Sequence, residues 1–118
     1  MIRKKNIRQA LKIICNLTEK DVVKDNRYED QENPKLVCLN GAVMKQALGI
    51  RKIYKKRWGA DDARIELQHF YASDDSTGND VLMNINSIHL GYIHSWGYSF
   101  QQMKAKATDY LESLLKKK

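Results

Sequence analysis

The residues with most chemistry to offer lie in one run of cations interleaved with aromatics. Arg51, Lys52, Lys55, Lys56 and Arg57 accompany Tyr54 and Trp58 between positions 51 and 58. Guanidinium and ammonium groups neutralise phosphates, and an exposed tyrosine or tryptophan stacks on bases, so the run reads as a patch that binds a macromolecule. A plainer pattern fits the same residues. Ile50, Ile53, Tyr54 and Trp58 share helical spacing, which makes them a core face with the cations solvated opposite. No DNA- or RNA-binding motif accompanies the run, and both readings stay open.

Other candidate constellations are weaker. Cys15, Cys38, His89 and His94 are zinc-ligand types, but no Cys-x-x-Cys pair occurs, and the step from His89 to His94 does not bring both rings onto one helical face. Asp74, Asp75 and Asp80 read as a solvated loop with one helix cap. There is no Gly-x-Ser-x-Gly elbow, no phosphate-binding glycine loop and no His-Glu-x-x-His. The expectation is a protein that is not an enzyme and uses no metal or cofactor. Cys15 and Cys38 lie in apolar contexts and are expected to be small buried hydrophobes in a reducing compartment.

The chain has 118 residues, 42% of them hydrophobic, enough for one domain around one core and too many for a disordered tail. No apolar run is long enough to span a bilayer. The basic start, Met1 to Arg8, leads into an amphipathic pattern and not a secretory one, and the expectation is a cytoplasmic protein. The net charge of +7 favours acidic partners. Its distribution is uneven. Arg3, Lys4, Lys5, Arg8 and Lys12 precede any acid, residues 33–60 hold seven cations and no acid, and acids gather in 19–32 and 61–80.

The elements that position these residues read as helices. Asn6 can cap a first helix with the stripe Ile7, Ala10, Leu11, Ile14 and Cys15. Thr18 and Asp21 suit a short capped turn, and residues 25–34 a loop. Leu36 to Leu48 makes a second helix, with Gly41 and Ala42 allowing close packing and Gly49 ending it. Asp61 or Asp62 can cap a third, carrying Ala63, Leu67, Phe70 and Tyr71. Residues 72–80 read as a loop, after which Asp80 caps a helix from Val81 to His94. Short alternations in 64–70 and 82–88 leave helix and strand both open there. The closing helix is the clearest element. Ser99 and Gln102 form a capping box, Tyr98 and Met103 a staple, and Phe100, Met103, Ala107, Tyr110, Leu111, Leu114 and Leu115 one face.

Three stretches carry a resemblance. Cys38-Leu39-Asn40-Gly41-Ala42-Val43, then Ser87-Ile88, then Trp96-Gly97-Tyr98-Ser99 and the closing helix resemble a family of small, largely phage-encoded proteins catalogued as a domain of unknown function. Family members tend to carry Trp-Asn-Asp at the turn, where this chain has Gly97 and Tyr98. The resemblance implies a helical fold and a phage or prophage origin, and assigns no functional residues.

Together these readings predict an all-α fold: a single compact domain over 1–118 with about five helices, the closing one packed on the first and on the Leu36 helix. The expected function is a small cytoplasmic binding protein, an inhibitor or adaptor, that engages a host macromolecule. The alternative is nucleic-acid binding through 51–58.

Overall fold

Ile7, Ala10, Ile13 and Ile14 are spaced to share one side of a helix, and all four are buried in α1, Lys4–Cys15. The computed structural model describes residues 1–23, 30, 32–33, 35–51, 53, 59–93 and 97–116, with backbone alone over 59–61. The further helices are α2 (Leu39–Ala47), α3 (Gly59–Tyr71), α4 (Asp75–Ile93) and α5 (Phe100–Lys116), with a 3-10 turn at Glu19–Asp21. Among the described residues there is no strand, only isolated bridges pairing Ile2 with Ala72 and Val22 with Val37. The fold is all-α, as the periodicity predicts. Its radius of gyration, 13.3 Å, is that of one compact body, close to the ~13.5 Å expected for this length. The stretches that also alternate like strands are helical because the longer pattern prevails. Leu67, Leu82 and Ile85 are fully buried, while Ile65 (52% exposed) and Met83 (47%) face water.

Several boundaries differ from expectation, each for a local reason. Arg3, not Asn6, is the N-cap of α1. The Asn6 side chain is engaged elsewhere, its Nδ2 donating to the Phe70 carbonyl at 2.8 Å. Arg3 N–H donates to the Tyr71 carbonyl at 2.9 Å, and Arg3 Nε to the His69 carbonyl at 2.9 Å. A helix leaves its last carbonyls without partners of its own, and the start of α1 supplies three donors to the end of α3. Cys15, expected in the core, is exposed, because the buried stripe continues through Ile14 to Leu17.

The second helix begins at Leu39, not Leu36. Val37 N–H donates to Asp21 O, and its carbonyl accepts from Val23 N–H, each at 3.0 Å, so the chain is extended there beside the exit of the 3-10 turn. Cys38 then caps α2, its Sγ accepting Gly41 N–H at 3.3 Å. Gly49 ends the helix with φ 71°, the left-handed geometry the sequence anticipates. The third helix starts at Gly59, which puts Asp61 and Asp62 inside its first turn and not at its cap.

The fourth helix starts at Asp75, six residues before the expected Val81, so Asp80 is no cap. Asp74 takes that role, its Oδ2 accepting Thr77 N–H at 3.0 Å. Gly78, which reads as a turn residue, is helical. A Cβ there would stand 2.2 Å from the Gln68 carbonyl oxygen, so only glycine lets α4 lie this close on α3.

The closing helix follows the sequence. Ser99 N–H donates to Gln102 Oε1 at 2.8 Å, and Gln102 N–H to Ser99 Oγ at 3.1 Å. Phe100, Met103, Ala107, Leu111 and Leu114 are buried. This helix packs on α1 and α4, while α2 meets α1, α3 and α4 instead of the closing helix. The expected contact with the second helix is replaced because a polar contact ties α2 to α3 and α4.

That contact centres on Asn40, which is fully buried. Asn40 Nδ2 donates to the Leu82 carbonyl at 2.9 Å and to Asn86 Oδ1 at 2.7 Å, and Asn40 Oδ1 accepts the Tyr71 hydroxyl at 2.7 Å. Removing one partner of a buried bond leaves the other unsatisfied, at about 1–3 kcal/mol per group. Asn40→Ala is therefore expected to destabilise by about 2–4 kcal/mol and Tyr71→Phe by about 1–2 kcal/mol in urea denaturation. The double variant should lose less than the sum, because both remove one shared bond. Strict additivity would show that the two residues act independently.

Candidate macromolecular interface

Of the residues expected to form the basic patch, Arg51 is exposed, and its carbonyl accepts Lys45 Nζ at 2.8 Å. Lys52, Tyr54, Lys55, Lys56, Arg57 and Trp58 lie outside the described residues. Ile50 and Ile53 are buried, so at those two positions the apolar half of the run faces the core.

A second set of cations is fully described. Lys4, Lys5, Arg8 and Lys12 are all exposed on α1, and helical spacing puts them within an arc of about 100° on its outer side. Gln9, Cys15 and Asn16 complete that side, and all are exposed. The first turn of α1 contains no acid, and the first carboxylate of the chain is Glu19, past the helix end. Among the described residues, no carboxylate forms an ion pair with any of the four cations. Cations at a helix N-terminus also oppose the positive end of its dipole. The result is a concentrated positive field on a fixed scaffold. One end of α1 is held by the α3 carbonyls, and Lys104 Nζ donates to Leu17 O at 3.0 Å just past the other.

A cleft of about 180 Å³ lies between the start of α2 and α4, lined by Cys38, Met83, Asn86, His89 and Leu90. His89 is 3% exposed, whereas Met83 and Leu90 stand open to water. The Cys38 sulfur already accepts the Gly41 N–H, which gives it a structural task as the helix cap. Among the described residues, no group of three His, Cys, Asp or Glu side chains is placed to hold a metal. His94 lies outside them, and Cys15 sits on the outer side of α1.

The three aspartates expected in a loop separate into different roles. Asp74 caps α4 and contacts the Met1 amino group, and this contact, with those from Thr77, holds its carboxyl well below the usual carboxylate range. Asp75 Oδ1 meets His69 Nε2 at 2.6 Å, and Asp80 is exposed within α4.

No family model, no curated protein and no solved structure matches the chain.

Two outcomes follow from this geometry. Like charges one helical turn apart cost about 0.2–0.5 kcal/mol per pair. Arg8 has Lys4 and Lys12 one turn to either side, so Arg8→Glu turns two repulsions into attractions and should stabilise the protein by about 0.5–1 kcal/mol in low salt. A loss of stability would mean that the cations of α1 are already compensated. The two thiols should also differ. With a disulfide reagent, exposed Cys15 should react about tenfold or more faster than Cys38 in the native protein, and comparable rates would show that the cleft opens readily. Single serine variants assign the two phases.

Proposed function

We propose that this chain is a small, cytoplasmic, non-enzymatic binding protein of phage or prophage origin, which engages an anionic host macromolecule through the outer face of α1. The observation that carries the reading is the set Lys4, Lys5, Arg8 and Lys12, all exposed on one side of one helix and, among the described residues, without a carboxylate partner. Such a set has a net cost within the folded chain, and an anionic surface relieves it. The non-enzymatic part rests on the structural tasks already held by two polar groups of the interior. Asn40 bonds three helices together, and the Cys38 sulfur caps α2. The origin rests on the resemblance of residues 38–43 and the Trp96 turn. A second reading, nucleic-acid binding through 51–58, has exposed Arg51 in its favour.

Retention on immobilised polyanions tests the reading. The natural chain should be held on both heparin and poly-glutamate at low salt. The triple reversal Lys4→Glu, Arg8→Glu, Lys12→Glu should elute far earlier. A matched reversal at exposed positions off this helix, Lys35→Glu, Arg64→Glu, Lys106→Glu, should be retained more strongly than the α1 variant at the same net charge. Helical circular dichroism confirms that each variant is folded. Equal elution of the two variants would show that only net charge matters and would end the assignment to α1.

A further inference from the structure

We infer that the anionic partner of the α1 face is a nucleic acid, held by its phosphate backbone without reading of base sequence; this rests on the binding role proposed for that face. Three features separate a polyphosphate from an acidic protein or a membrane.

The first is spacing. Lys4, Arg8 and Lys12 follow one another at four-residue intervals along α1, each step rising about 6 Å. They span about 12 Å, a length over which one strand of duplex DNA presents three or four phosphates. Lys5 widens the row to one side. A repeating cation row matches a repeating anion row.

The second is composition. Protein interfaces draw affinity from aromatic and apolar anchors in a dry centre, and lysine is depleted there. The outer face of α1 has no such anchor. The exposed large hydrophobic residues among those described are Met1, Ile65, Met83 and Leu90, none of them on this helix. Four cations with Gln9 and Asn16 between and beside them can form salt-dependent contacts to phosphate and polar contacts to sugar, but offer a protein partner no apolar knob.

The third feature excludes insertion into lipid. A helix that lies in a membrane surface buries its apolar side there. The apolar side of α1, Ile7, Ala10 and Ile14, is already fully buried in the protein core.

The test measures binding of the full chain to four probes: by fluorescence anisotropy to a labelled duplex of random sequence, a labelled single strand and labelled poly-glutamate, and by co-sedimentation to anionic phosphatidylserine vesicles. With three or four phosphate contacts, the slope of log affinity against log salt should be about −3 to −4, a loss of roughly 10²-fold between 50 and 200 mM salt. Changing the base sequence should alter affinity little. The α1 triple reversal should abolish binding, and the matched reversal at Lys35, Arg64 and Lys106 should keep most of it. Cys15 supplies a footprint, since it lies on the same exposed side of the helix. Saturating nucleic acid should slow its alkylation severalfold. Binding to poly-glutamate or vesicles, with none to either nucleic acid at low salt, overturns the inference and leaves the anionic-partner reading standing. Binding to none of the four overturns both. Nucleic-acid binding that survives the α1 reversal with unchanged slope places the contact elsewhere and also overturns the inference.

Discussion

One carboxamide couples three of the five helices among the described residues. A fully buried amide is costly unless its donors and acceptor find partners, and Asn40 finds them on Leu82 and Asn86 of α4 and on Tyr71 of α3. The bonds are directional, so they fix the rotation and height of α2 against both neighbours. That matters because α2 is only nine residues long, and isolated helices shorter than about 12–15 residues are marginal in water. The same Tyr71 passes the constraint on. Its carbonyl receives Arg3 N–H, while the carbonyls of Phe70 and His69 receive Asn6 and the Arg3 side chain. The direction in which α1 leaves is set by the end of α3, and the end of α3 is set by Asn40.

This arrangement explains how α1 tolerates its own charge. Its cations repel one another, and Lys4 and Lys5 face the wrong end of the helix dipole, a penalty of about 1 kcal/mol for the row. Against that, Ile7, Ile13 and Ile14 are buried, and each fully buried side chain of this kind contributes about 1.5–3 kcal/mol. The inner face outweighs the outer several times over. A short helix with such an exterior would not persist alone, but here it has a core on one side and donors to α3 at its start.

How much of this was legible in the sequence depended on the range of the interaction. The closing helix could be read almost to the residue because its signals are local: Ser99 and Gln102 are three apart, and its apolar stripe is continuous. Gly49 and the Thr18–Asp21 box were legible for the same reason. The start of α4 was not. Ala72 to Asp80 has the composition of a loop, yet Asp74 caps a helix there and Gly78 meets the Gln68 carbonyl. A cap needs only one well-placed oxygen, and composition over nine residues hides it. The Asn40 network was invisible because its partners lie 31 to 46 residues away. Its one local sign was a polar side chain in the middle of Cys-Leu-Asn-Gly-Ala-Val, a break in an otherwise apolar run. The candidate interface shows the same limit. The acid-free stretch from Arg3 to Lys12 could be counted, but its grouping on one exposed side depended on which side is buried, and aromatic interleaving drew attention to 51–58 instead.

Binding through α1 is consistent with the fold because it asks nothing of the core. The helix packs on α2, α3 and α5 through its buried side, and the cation row lies on its exposed side. A partner on α1 meets a backbone that is already fixed, and the ordering cost of association falls on the lysine and arginine side chains alone. Those side chains are long and end in charged groups, so a contact made through them is governed by charge density and salt more than by shape. A surface of this kind is suited to holding an extended polyanion in many equivalent registers. It is poorly suited to selecting one protein fold from others, which requires apolar anchors, and none of the exposed large hydrophobic residues among those described lies on α1.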